Sequence, residues 1–229
     1  MRRIMAAMLC LCMLSVPVRA RAEKYVALTF DDGPSGRYTR HLLEGLRERE
    51  VKATFLLCGY RIAQYPQLTE QIFRESHEIG YHGYSHSPMH TMSRRDIARE
   101  LEETQTLLPD SCKPIFLRPP GGQCSDAVIQ VAKARQLAIL SWSVDPRDWA
   151  TRNTSVVESA VLGKVGDGDI ILLHDMTDSS VQAALDIVDQ LKAEGFRFVT
   201  VSELAELRNR SIVPGKIYRS FPPQKQDVK

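Results

Sequence analysis

Residues 25–34 read Tyr25-Val26-Ala27-Leu28-Thr29-Phe30-Asp31-Asp32-Gly33-Pro34. The first six are apolar, β-branched or aromatic in a run too short for a helix, which predicts a buried strand. Gly33-Pro34 ends it in a turn, so two adjacent carboxylates leave the strand directly into a loop. Taken alone, such a pair is one turn-capping Asp and one solvated Asp. Downstream, 38–49 predicts a helix with Leu42, Leu43 and Leu46 on one face, and 53–57 a second strand. A helix over 66–75 and a strand over 78–81 follow. Ser93-Arg94-Arg95-Asp96 resembles a capping box and opens a helix that turns Ile97, Leu101 and Leu108 inward. Then come a strand at 115–117, a helix at 125–135, a strand at 138–144 and a helix at 155–164. The strand 170–173, a helix with Val181, Leu185, Val188 and Leu191 on its inner face, and a last strand at 196–199 complete the pattern. Strand followed by helix, repeated about seven times, predicts a parallel sheet covered by helices. At this length it favours a distorted (β/α) barrel over an open sheet.

The chain has 229 residues, 43% hydrophobic and 25% charged, ordinary values for one globular domain. They exclude a disordered chain, a collagen-like repeat and a disulfide-dense miniprotein. A net charge of +2 offers no clustered basic face for nucleic acid. Residues 1–22 read as an export signal: Arg2 and Arg3, an apolar stretch over 4–18 too short to span a bilayer comfortably, and Ala20-Arg21-Ala22 as a cleavage site. Cleavage after Ala20 also fits, and an uncleaved anchor is the alternative. No later stretch is long and apolar enough to cross a membrane, so the expectation is a protein secreted or held at the cell surface or in the periplasm. Four basic residues and no acidic ones lie in 1–22, so the remainder carries 26 basic and 28 acidic residues, a net charge of −2. It keeps Cys58, expected in the core, and Cys112 and Cys124, which could pair in an oxidising compartment. Residues 209–229, with Pro214, Pro222 and Pro223 and no periodic apolar face, predict a surface tail or partly disordered segment.

In a barrel of this kind ligands bind at the C-terminal ends of the strands, and polar residues collect there. Besides Asp31-Asp32, the third strand runs into His82-Gly83-Tyr84-Ser85-His86, with His90 beyond. His82 and His86 share a face if the segment makes a helical turn; two imidazoles and one carboxylate can hold a divalent ion and leave positions open. A solvated histidine-rich loop is the plain alternative. Arg118-Pro119-Pro120-Gly121-Gly122 is stiffened by proline and opened by glycine. Two further strands end in Trp142-Ser143-Val144-Asp145-Pro146-Arg147-Asp148-Trp149 and in Leu172-Leu173-His174-Asp175. Five such clusters at successive strand ends exceed what loop composition explains.

The order TFDDGP, HGYSH, RPPGG, DPRDW and LLH resembles the polysaccharide deacetylase (NodB-homology) family, carbohydrate esterase family 4. The resemblance runs from about residue 25 to 207 and implies a catalytic domain over 23–208, a distorted barrel and a divalent metal. It implies removal of acetyl groups from N-acetylated glycan such as peptidoglycan or chitin-like N-acetylglucosamine. Carried over residue by residue, it makes Asp31 the general base and Asp32, His82 and His86 the metal ligands, with His90 outside them. Arg118 pairs with the base, and His174 is the general acid, oriented by Asp148. Trp149 and Leu172 wall the acetyl pocket, and Gly121, Gly122 and Asp145 contribute to the sugar site. Zinc is the first choice of ion, with cobalt, manganese and iron also suited to a His₂-carboxylate site. Three positions depart from the family pattern. Gly83 stands where a hydroxyl residue usually follows the first His, Tyr81 where Asn is common, and Gly121 where an aromatic often lines the groove. Deacetylation of acetylxylan, a non-catalytic glycan-binding role and hydrolysis of small cyclic amides are the competing readings.

Overall fold

The computed structural model describes residues 23–224; the leader expected at 1–22 lies outside them. The elements are β1 (Lys24–Asp31), α1 (Arg37–Glu48), β2 (Thr54–Leu57), α2 (Gly59–Gln64), α3 (Pro66–Arg74), β3 (Glu78–Tyr81), α4 (Arg94–Gln105), β4 (Phe116–Leu117), α5 (Asp126–Ala134), β5 (Ala138–Leu140), α6 (Thr154–Leu162), β6 (Ile170–His174), α7 (Asp178–Ala193), β7 (Phe196–Phe198), α8 (Val201–Leu207) and β8 (Ile217–Tyr218). Strands pair in the order β6-β1-β2-β3-β4-β5-β8, with β7 off this path beside β1. Every named pairing is parallel. Strand β1 holds the sheet together: Lys24–Val26 pairs with β7, and Ala27–Asp31 pairs with β6. Beyond the regular ladder, Val144 bridges Ile171 and Asp169 bridges Ser220, which draws the two edges toward each other. The result is the distorted, helix-covered barrel that the β/α rhythm predicts.

The strands read as continuous apolar runs because both of their faces are covered. Val26, Leu28 and Phe30 pack with Phe55, Leu57, Leu117, Ile171 and Leu173 against the helices, joined by Leu42, Leu46, Val181 and Leu185. The alternate residues Ala27, Leu56, Phe116, Ala138, Leu140 and Ile170 form a second cluster, closed by Val201 and Leu204 of α8. Along this second face β1 changes from Ala27 to Thr29 and Asp31, all buried. The barrel interior therefore turns polar where β1 ends.

Several expectations change. The strand at 138–144 stops at Leu140, and only Val144 beyond it bridges β6. The capping box at Ser93 is half formed. The Ser93 side chain accepts from Asp96 N–H, but Asp96 turns its carboxylate to the Ser93 hydroxyl (2.6 Å) rather than to the backbone. A complete capping box sits instead at Thr200 and Glu203, opening α8, a helix absent from the elements expected after the strand at 196–199. The six-residue α2 was also unread. The segment after 208, expected as a surface tail, contributes β8, whose Tyr218 stacks on buried Phe221 with ring centroids 5.1 Å apart. Burying one aromatic of this size contributes roughly 1.5–3 kcal/mol, enough to hold a short segment despite its prolines. Cys58, Cys112 and Cys124 are free thiols. Burial pushes the Cys58 thiol upward, which suits an unreactive core residue. Among the described residues no helix is long and apolar enough to cross a membrane.

Candidate active site

The site lies in a cleft of about 430 Å³ over the strand ends, lined among others by Asp31, Asp32, His82, His86, Trp142 and His174. Asp31 is the last residue of β1 and pairs in register with His174, the last of β6. Parallel pairing thus sets a carboxylate and an imidazole side by side before any loop is considered. Asp32 turns away from the strand at φ 72°, in the left-handed region. Gly33 beside it has no room for a side chain: a Cβ there would lie 2.7 Å from an oxygen of Asp175. Asp175 is fully buried. Its side chain accepts from the Thr39 hydroxyl and its backbone carbonyl from the Ser35 hydroxyl, while Ser35 N–H donates to Thr39 Oγ1 at 2.6 Å. This ring ties the turn after β1 to the end of β6. Burial pushes the Asp175 carboxyl up to about 6.

His82 follows β3 and is buried, and its Nδ1 lies 2.7 Å from the Arg118 carbonyl oxygen. A carbonyl can only accept, so Nδ1 carries the proton and Nε2 keeps its lone pair. That Nε2 faces Asp32 Oδ1 at 3.2 Å, and His86 Nε2 approaches the same oxygen at 3.0 Å. The segment between the histidines is not the helical turn considered from their spacing. Gly83 (φ 82°) and His86 (φ 59°) fold it into a loop that brings the rings within 5.2 Å, centroid to centroid. Ligand atoms of Asp32, His82 and His86 lie within 4.8 Å of one another. Asp32 Oδ1 is buried without a hydrogen-bond partner. The donor atoms converge on one point, which fits a cation, and the His₂-carboxylate set fits a divalent transition ion. Burial would raise the Asp32 carboxyl, but His82 and His86 beside it hold it well below the usual carboxylate range, in the ionised form a ligand requires.

Arg118 is completely buried and uses its fork on four acceptors. NH1 donates to Asp31 Oδ1 at 2.6 Å and Thr29 Oγ1 at 2.8 Å, NH2 to the Ser141 carbonyl at 2.9 Å, and Nε to the Leu140 carbonyl at 3.3 Å. Across the cleft, Asp148 Oδ1 lies 2.8 Å from His174 Nδ1 and Oδ2 accepts His174 N–H at 2.9 Å. Burial lowers the His174 imidazole, but the bond and charge of Asp148, with Asp31 and Asp32 behind it, push it up to about 9. His174 is thus protonated at neutral pH, and it shares the cleft with Asp31, ion-paired with Arg118.

These distances invite comparison with known proteins. The family model for polysaccharide deacetylases matches residues 19–140. A peptidoglycan-N-acetylglucosamine deacetylase of Bacillus cereus is 38% identical over 193 residues, covering 82% of this chain and 91% of that protein. This chain belongs to the polysaccharide deacetylase family. A chitooligosaccharide deacetylase of Sinorhizobium fredii is 34% identical over 211 residues, covering 91% of this chain and 95% of the relative. Among solved structures, a family 4 acetyl xylan esterase from Clostridium thermocellum, in complex with a cobalt ion, superposes with a TM-score of 0.80 at 33% identity. It covers 87% of this chain and all of its own. The deacetylase is accordingly a hydrolase of carbon–nitrogen bonds in linear amides.

All the site residues expected from sequence lie at this end of the barrel. Trp149 is 60% exposed at the rim, Leu172 is buried in the cleft wall, and Asp145 lines the cleft while accepting Arg147 N–H at 2.8 Å. Gly121 faces open space. Gly122 does not: a Cβ there would meet the Trp142 ring at 2.5 Å, so it is the seat of that ring. His90 stands apart from the three-ligand cluster. Sequence reasoning passed over Trp142, a cleft wall whose ring also lies 5.6 Å from the Arg118 guanidinium, and Thr29, which shares Arg118 with Asp31. Trp142 could have been found from its place in the fourth cluster. Thr29 offered no signal, because a threonine in a buried strand looks like any β-branched residue.

Proposed function

We propose that this deacetylase is exported and removes acetyl groups from N-acetylated glycan, peptidoglycan or chitin-like N-acetylglucosamine, with Asp32, His82 and His86 holding a divalent ion, zinc first among those that fit. The observation that carries the reading is the facing pair: Asp31 on Arg118 beside the three ligands, and His174 on Asp148 across about 430 Å³ of cleft. An amide is a poor electrophile and water a poor nucleophile. When bound, the ion supplies polarisation of the acetyl carbonyl and acidification of water, which can reach a pKa of about 7. Asp31 Oδ1 is taken by Arg118, so the other oxygen accepts the proton of the attacking water. The Gly121 N–H donates to the oxygen that gains charge on the acetyl carbon. His174, held through Nδ1 by Asp148, delivers its Nε2 proton to the sugar nitrogen as the C–N bond breaks. Water is consumed, and acetate and a free amino sugar result. Trp149 and Leu172 enclose the methyl group. The relatives support the glycan class, and the pattern of residues 1–22 supports export.

The test is acetate release from N-acetylglucosamine oligomers, peptidoglycan and acetylxylan after zinc or cobalt reconstitution. Activity on the first two, abolished by chelator and restored by metal, is the expected result. Release from acetylxylan alone would transfer the reading to O-acetyl groups. No release from any substrate by a metal-loaded, folded protein would overturn it.

A further inference from the structure

The loop between the two histidines is held by a side chain that takes no part in the chemistry above. Glu100 projects from α4, is 9% exposed, and accepts three hydrogen bonds from this loop. Its Oε2 receives Tyr84 N–H at 2.6 Å and Ser85 N–H at 2.8 Å, and its Oε1 receives the Ser85 hydroxyl at 2.8 Å. Bonds to an ionised carboxylate are short and strong, and a buried carboxylate is tolerated only when its oxygens are occupied in this way.

The frame behind Glu100 is firm. Ser93 caps α4, and Ile97 and Leu101 anchor it in the core. The chain it grips is not in a relaxed conformation. Gly83 and His86 both lie in the left-handed region, and His86 carries a side chain there. A Cβ at position 83 would come within 2.9 Å of Met89 Cε and 3.2 Å of Glu100 Oε2. Glycine at this position therefore lets the Glu100 carboxylate approach the loop. Gly83, which reads from the sequence as a missing hydroxyl, leaves the fastening of the loop to a residue from another element.

We propose that Glu100 is a positioning residue of the metal centre: by fixing the 83–85 backbone it sets the separation of His82 and His86, and so the affinity for the divalent ion. This rests on the reading that Asp32, His82 and His86 hold that ion. Partners behind metal ligands typically change affinity by about 10–100-fold when removed.

The experiment measures zinc affinity of the metal-free protein by competition with a chromophoric chelator, without substrate. Glu100→Ala is expected to weaken binding by about 10–100-fold. Glu100→Gln should fall in between, since its amide oxygen accepts from the loop but its NH₂ opposes a second donor. The visible spectrum of the cobalt-loaded variants should shift as the histidines move. Unfolding temperatures of the metal-free variants close to that of the metal-free parent would show that the loss is not one of folding. Should Glu100→Ala not fold, Glu100→Gln and Ser85→Ala carry the test, the latter with the smaller loss. Variants that bind zinc as tightly as a tight-binding parent would overturn the role of Glu100 alone. A parent that binds no divalent ion would overturn the metal reading and this inference with it.

Discussion

The two walls of the cleft are built differently. On one side Asp32, Gly83 and His86 all lie at positive φ, and the His86 side chain remains 43% exposed. Its three candidate ligands come from loops, and their donor atoms converge on one point. On the other side His174 continues a regular strand in register with Asp31, and one buried carboxylate grips both its ring and its backbone. The first wall gathers donor atoms that a cation would complete, and strained backbone is kept where it aims them. The second is complete as folded, because donor and acceptor already satisfy each other. Metal should therefore tighten one wall and leave the other nearly unchanged.

The sharpest way to separate the walls is to alter the residue between them. Asp31→Asn should lose roughly 10²–10⁴-fold in kcat while binding zinc like the parent. His82→Ala should lose both activity and zinc. Turnover on N-acetylglucosamine oligomers and zinc titration check the pair, and substantial activity in either purified variant would refute the assignment.

A smaller, pH-dependent effect breaks the second wall. With Asp148 in place His174 stays protonated up to about 9, so kcat should fall as pH rises through that value. Asp148→Asn removes the chief force raising the imidazole and leaves burial, which lowers it, opposed by the charges of Asp31 and Asp32. The alkaline limb of the kcat profile should then move to lower pH, with a loss of roughly 10²-fold at pH 8 that shrinks in acid. Stability follows the same sign. A folded-state value above the unfolded one contributes stability that is fully present below about 6.5 and is lost as pH rises through about 9. Thermal unfolding from pH 6 to 10 should show this slope in the parent and not in the variant. Unchanged profiles would remove Asp148 from the role given to it. The smallest effect belongs to the rim: Trp149→Ala should raise KM by roughly 3–10-fold with little change in kcat, as expected for a lost aromatic contact on an exposed face.

The strand ends were legible in the sequence because a buried parallel strand is a short apolar run, and a polar residue directly after it must sit at the barrel rim. That logic places Asp31, Asp32, His82, Arg118 and His174 at one end of the molecule without coordinates. It failed where local signals were weak or shared. The prolines after 208 hid Tyr218 and Phe221, whose burial holds that segment to the sheet. Helix α8 carried a capping signal in Thr200 and Glu203, but its seven residues are too few for a clear apolar period. Glu100 lies three positions after Ile97 and shares its face of α4, but a lone acidic residue on a helix reads as solvated until its partners are known.

Residue types and their order determined, by themselves, the parallel barrel and the set of polar residues gathered at its strand ends. They did so because hydrophobic period and turn chemistry act over a few neighbouring residues. Tertiary structure alone decided which oxygen of Asp31 Arg118 takes, which nitrogen of His82 faces Asp32, that Asp148 and not Asp175 holds the His174 ring, and that Glu100 grips the loop between the histidines. Each of these is a contact of 2.6–2.8 Å between residues 15 to 87 positions apart, and hydrogen bonds of that length are specified by packing rather than by local sequence.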